Sequence, residues 1–203
     1  LLWWRGRALP PAQPRHEDAA AAATLMTPAV LRVLALSSLA QSGIDLFVVY
    51  MPVYGRAVGL TASEIGVVLA MLAIAGFASR LILPRLIAWR GEQSILAWAF
   101  AMGSLSYVLV PFTSSAIVLS VMAFAFGFGM NCCQPIVMIM MFSGSSAGRS
   151  GEAMGWRMST DNLTKLVVPV VFGSIASAGL GVVFWVNAAM LACGSLLTRT
   201  RLR

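Results

Sequence analysis

From residue 29 to residue 198 the chain alternates long apolar stretches with short polar connections. Six stretches, at about 29–53, 64–87, 93–111, 115–142, 153–179 and 181–198, each reach the roughly 17–25 residues that a helix needs to cross the hydrocarbon of a bilayer. In lipid every backbone N–H and C=O must be paired internally, which leaves helices or closed barrels. Continuous apolar runs lack the period-2 alternation of barrel strands. The pattern therefore predicts an all-α integral membrane fold, a six-transmembrane-helix bundle.

Local signals mark the ends of these elements. Pro28 suits the first turn of a helix, and Pro52 is expected to close the first span. Thr61-Ala62-Ser63-Glu64 has the spacing of a capping box for the second span. Gly66, Ala70, Ala73 and Gly76 keep that span thin enough for close helix approach, the usual mode of association in lipid. Pro111-Phe112-Thr113 reads as a tight turn after the third span, and Gly179-Leu180-Gly181 as the turn before the sixth. In the fourth, Pro135 removes a backbone donor and frees a carbonyl four residues back.

Composition sharpens the class. Of 203 residues, 59% are apolar and 10% charged, against about half and a quarter in soluble domains. The formal charge of +7 is a topology signal rather than a nucleic-acid footprint. Arg5, Arg7, Arg15, Arg32, Arg80, Arg85, Arg90, Arg149, Arg157, Arg199, Arg201 and Arg203 fall on one side of the expected bundle, and Arg56 on the other. Lys/Arg bias in short loops orients a membrane protein, so both termini are expected in the cytoplasm, with the plasma (inner) membrane as location. Leu1-Leu2-Trp3-Trp4 followed by Arg5-Gly6-Arg7 reads as the interfacial end of a preceding helix. Residues 1–28 are then that end plus a cytoplasmic linker, residues 29–203 the transmembrane domain, and the chain a fragment of a longer protein.

Several chemistries are excluded. Cys132, Cys133 and Cys193 have no C-x-x-C or histidine spacing, and His16 lies in the linker, so no metal, redox centre or cofactor is expected. An intramembrane serine hydrolase needs a base beside its serine, and Ser143-Gly144-Ser145-Ser146 has no histidine within reach. The glycine pairs Gly127/Gly129 and Gly179/Gly181 follow no strand, so neither is a nucleotide loop. The expectation is a non-enzyme whose partners are the lipid bilayer and a small-molecule solute.

The polar residues inside the spans need a reason, since an ionised group there costs roughly 2.5–3.5 kcal/mol on insertion scales. Asp45, with Gln41 and Ser38 four and seven residues earlier on one helix face, lies about 8 Å from the middle of the first span. It is a candidate for substrate or proton binding, or a structural partner for a cation. Asn131 and Gln134, three apart, are expected to share a face toward either a solute or a helix. Arg157, Asp161 and Lys165 follow i, i+4, i+8 spacing, open to three readings: a self-satisfied ladder, a gating contact or an anion site, with the arginine able to reach the headgroups.

Taken together, Leu60-Thr-Ala-Ser-Glu-Ile-Gly66, Gly76 with Arg80-Leu-Ile-Leu-Pro-Arg85 and Arg90-Gly91, Gly127-Phe-Gly129 with Gln134-Pro135, and Arg149-Ser-Gly151-Glu-Ala-Met-Gly155-Trp-Arg157 running on through Asn162 to Pro169 and Gly173 resemble the C-terminal half of a major facilitator superfamily transporter. The likeness covers residues 29–203, and its wording looks closest to drug and metabolite efflux branches. Arg80 stands where the family's Gly-x-x-x-Asp-Arg-x-Gly-Arg-Arg loop has its acid, which puts a charge relay through that loop in doubt. The resemblance implies two inverted three-helix repeats and a missing N-terminal six-helix partner. It implies that the first and fourth helices line a cavity carrying Asp45, Gln41, Asn131 and Gln134. The second and fifth would meet the other half, with Arg80, Arg85, Arg90, Arg157, Asp161 and Lys165 around a cytoplasmic gate. The function so implied is secondary active transport of a small organic solute by alternating access, with proton-coupled efflux or antiport as its finer form. The membrane domain of an ATP-driven exporter and a non-transporting structural or sensory bundle are the alternatives.

Overall fold

The computed structural model describes residues 28–144, 150–177 and 179–199. The linker expected over residues 1–28, apart from Pro28, lies outside the described residues, as do Arg149, Arg201 and Arg203. Six long helices follow in order: α1 Pro28–Ala57, α2 Ala62–Arg90, α3 Glu92–Leu109, α4 Ala116–Gly144, α5 Ser150–Ala176 and α6 Leu180–Arg199, with a 3₁₀ turn at Val110–Phe112 after α3. There is no strand among the described residues, as the apolar pattern predicts.

The helix ends follow from local chemistry. Thr61 caps α2: Glu64 N–H donates to its hydroxyl at 3.3 Å, and Thr61 N–H donates to the Glu64 carboxylate at 2.8 Å. Between α2 and α3 only Gly91 intervenes, at φ 75° and ψ 158°, a left-handed turn that a side chain would strain. Pro52 does not end α1, which continues to Ala57. Its lost N–H leaves one carbonyl without a helical donor, while the Tyr54 hydroxyl, in the next turn, anchors the helix to the Val110 and Thr113 carbonyls, each at 3.0 Å.

Five of the six helices are long and apolar enough to cross a membrane by length and composition. α5 is the exception, because Arg157, Asp161 and Lys165 interrupt its apolar run. Its length of 27 residues is ample.

α4 is the hub. A Cβ on Gly127 would lie 2.9 Å from the Leu72 carbonyl oxygen of α2, and one on Gly129 would lie 3.0 Å from the Ala99 carbonyl oxygen of α3. These two glycines bring α4 against the backbones of both neighbours, so that close packing replaces the hydrophobic drive that lipid cannot supply. Around the far side of α4 an aromatic cluster fills the centre: Phe47 stacks on Phe126 at 4.9 Å, and Tyr107 meets Phe126 edge-on at 5.1 Å. Phe184 of α6 closes it against Tyr54 and Tyr107. Large apolar side chains project outward instead, among them Trp98 and Leu105 of α3, Ile117 and Val121 of α4 and Leu196 of α6, all more than half exposed. That is the inside-out polarity of a chain whose solvent is lipid.

Gly127→Val places a branched side chain against the Leu72 carbonyl and is expected to cost about 1–3 kcal/mol. Gly151→Val, with nothing within 4 Å of its Cβ, is the control with little packing cost. Thermal unfolding of the purified protein in detergent, read as the loss of a monodisperse peak, checks the difference.

Candidate functional site

Six polar residues of the bundle interior form one continuous hydrogen-bonded chain across α1, α4 and α5. It begins at Asp45, whose Oδ1 accepts from Gln41 Nε2 at 2.9 Å. Gln41 Oε1 in turn accepts from Gln134 Nε2 at 3.1 Å. Gln134 Oε1 accepts from Arg157 Nη2, and Arg157 Nε donates to the Ser37 hydroxyl at 3.1 Å. The Ser37 hydroxyl in turn donates to Asp161 Oδ1 at 2.8 Å. Along α1, from Ser37 to Asp45, the chain covers about 12 Å at the helical rise.

Helical spacing explains the assembly. Gln41 and Asp45 are i, i+4 on α1, and Arg157 and Asp161 are i, i+4 on α5, so each pair shares a face. Gln134 on α4 has a side chain long enough to touch both. The Arg157–Asp161 contact is an ion pair with Nη2 to Oδ2 at 3.7 Å, and the two side chains are 10% and 15% exposed. At that separation the direct pair is loose. Ser37 tightens it by accepting from the cation and donating to the anion, which supplies the extra hydrogen bonds that a buried pair needs.

The i, i+4, i+8 ladder is only half formed. Asp161 pairs with Arg157, whereas Lys165 is exposed and makes no ion pair among the described residues. Arg157 does not reach out to headgroups: it is turned inward and buried because three acceptors, on Gln134, Ser37 and Asp161, lie there. Asn131 also departs from expectation. Its amide donates to the Gly127 carbonyl of its own helix at 2.7 Å and lies against Gly76, so it shares no partner with Gln134. A short side chain is captured by its own turn, while the longer Gln134 reaches across.

Asn131 instead lines a cavity of about 500 Å³ between α1, α2 and α4, with Ile44, Val48, Gly76 and Arg80 among its walls. Arg80, Arg85 and Arg90 are all exposed on the last turns of α2. The Arg90 guanidinium lies 4.5 Å from the Trp89 ring centroid. The structure thus brings Asp45, Gln41, Gln134, Arg157 and Asp161 together. It leaves Asn131 with Arg80 in the cavity, and Arg85, Arg90 and Lys165 at the periphery.

Two residues escape a reading by sequence. Ser37, one position before Ser38, is the serine that joins the network; Ser38 Oγ is buried with no partner. Asn187 of α6 is fully buried beside Tyr107, whose hydroxyl donates to the Gly43 carbonyl at 2.6 Å. The Asn187 amide lies close enough to the Tyr107 hydroxyl to act on it electrostatically, but neither of its polar atoms meets hydrogen-bond geometry. A lone asparagine in an otherwise apolar span was its only signal. Asp45 has the same feature in an ionisable group: Oδ2 is buried and unpartnered.

The profile of the Major Facilitator Superfamily matches residues 1–163. The chain belongs to the major facilitator superfamily. The matched stretch contains every member of the network from Ser37 to Asp161. No individual curated protein matches the chain. Membership makes it a multi-pass membrane protein of a family that moves small solutes by secondary transport, with lipid and a transported solute as its partners.

Ser37→Ala removes a bridging hydroxyl and leaves a carboxylate short of a donor, which is expected to cost about 1–3 kcal/mol. Ser38→Ala removes a hydroxyl without partners and is expected to be neutral or slightly stabilising. Comparing the apparent melting points of the two purified variants checks the assignment.

Proposed function

We propose that this chain is the six-helix half of a secondary active transporter that binds a small organic solute beside Asp45 and couples its movement to a proton, in the direction of efflux. Asp45 is the coupling carboxyl, Gln41 and Gln134 hold it, Asn131 lines the solute cavity, and Arg157 with Asp161 forms the gate. Arg80, Arg85, Arg90 and Lys165 flank that gate on the cytoplasmic side. A second six-helix bundle covers the exposed faces of α2 and α5, the protein lies in the plasma (inner) membrane, and both termini are cytoplasmic.

One observation carries the reading: a carboxylate within a membrane-spanning helix has one oxygen held by a single amide and the other buried without a partner. A charge left so in hydrocarbon is costly. Binding a proton or a cationic group removes that cost, so the site is built to change occupancy. A structural carboxylate would have both oxygens engaged. The arginine arrangement supports the orientation through the positive-inside rule, and the outward apolar side chains of α2 and α5 support the second bundle.

In proteoliposomes carrying the full-length protein, with ethidium as the probe, Asp45→Asn is expected to lower pH-gradient-driven movement at least about tenfold, the scale of one lost charge-assisted contact. Normal expression with unchanged gradient-driven movement would remove Asp45 from the coupling role. For the gate, Asp161→Ala is expected to change the cysteine accessibility of positions on the two sides of the membrane, and identical accessibility would count against it.

A further inference from the structure

The two carboxamides between Asp45 and Arg157 are not free to point either way. A guanidinium has donors only, so Gln134 must turn its oxygen toward Arg157, which leaves its NH₂ for Gln41. Gln41 must then offer its oxygen to Gln134 and its NH₂ to Asp45. A carboxylate accepts only, so the far end demands the same direction. Both amides are held by the ionic state of the two ends.

A change at Asp45 reverses the demand. A proton taken up at the unpartnered Oδ2 has no hydrogen-bond partner in place there, and a half-turn of the carboxyl brings that O–H to Gln41, where it donates to the Gln41 oxygen. Gln41 then turns its NH₂ toward Gln134, which must accept with its oxygen, and the Gln134 NH₂ faces the guanidinium donors of Arg157. Arg157 loses its acceptor on α4 and falls back on Asp161, which is on its own helix 3.7 Å away in the starting state. The bond that ties α5 to α4 is replaced by one inside α5. This is a two-state element of the kind that can connect distant sites.

We infer that Gln41 and Gln134 are positioning residues that transmit the state of Asp45 to the hold of α5 on α4, through a paired reversal of their amides. The inference rests on Asp45 being the group that changes state in transport. The other charged and titratable side chains facing the relay are Arg157 and Asp161 from α5 and Tyr107 from α3. On α4 the buried thiols of Cys132 and Cys133 directly precede Gln134, and from α2 Arg80 faces the neighbouring cavity at Ile44 and Val48.

The test is a double-mutant cycle in the full-length protein, free of its native cysteines. The reporter Trp156→Cys sits beside Arg157 on the outer face of α5, 44% exposed in this bundle alone and covered by the proposed second bundle, so its rate of maleimide labelling reads how firmly α5 is held. Asp45→Asn presents a permanent donor at this position and is expected to raise the labelling rate about threefold or more, as α5 loosens. Gln134→Leu cuts the tether and is expected to raise labelling by itself, after which Asp45→Asn adds nothing. Gln134→Glu offers an acceptor to Arg157 in any state, so labelling stays low and unresponsive to Asp45→Asn; it also decides the matter if the leucine variant does not fold. An equal response to Asp45→Asn with and without Gln134, or no response with Gln134 present, overturns the relay. A labelling response without a transport defect breaks the coupling role of Asp45 alone. A transport defect with additive labelling breaks the relay alone.

Discussion

Arg157 is a cation with five donors and no acceptor, buried in a bundle whose outer solvent is hydrocarbon. Every polar group around it is arranged to meet that demand. Gln134 turns its oxygen to it, Ser37 accepts from it, and Asp161 balances its charge. Because these acceptors come from α4, α1 and α5, one side chain ties three helices together. The orientation of Gln41, and through it the hold on Asp45, follows from the same need.

Such a network forms only if the helices are brought to a fixed distance and register, and that is the role of the packing. Gly127 and Gly129 press α4 onto the backbones of α2 and α3. Phe47, Tyr107, Phe126 and Phe184 then set the spacing of α1, α3, α4 and α6 on the other side. With α4 so placed, Gln134 lies within reach of α1 and α5. The apolar contacts are abundant and adaptable, whereas the hydrogen-bonded chain admits only particular partners, so packing supplies stability and the polar groups supply register.

The membrane-spanning elements were legible because apolar run length is a one-dimensional property, and the capping box at Thr61 is a local one. The site was legible only in its ingredients. Periodicity put Gln41 with Asp45 and Arg157 with Asp161, since i, i+4 neighbours need no knowledge of other helices. What periodicity cannot provide is which helix faces which. Ser37 and Ser38 point about 100° apart, and only the position of α5 decides that Ser37 matters. Lys165 carries the right spacing but projects away from the bundle. Asn131 and Gln134 diverge because one side chain is short enough to bond its own turn. Pro52, read as a stop, is absorbed within α1.

A single line of hydrogen bonds joins Asp45 to Arg157, across helices, in the membrane. Solid-state NMR on the full-length protein in bilayers, with ¹⁵N in arginine guanidinium groups and ¹³C in glutamine side-chain carbonyls, measures its middle link. A dipolar contact within about 4 Å, the range of a hydrogen-bonded pair, that disappears in Gln134→Leu is the predicted result. No such contact, with the protein folded, would mean that Arg157 faces elsewhere, and the line from Asp45 to Asp161 would be lost with it.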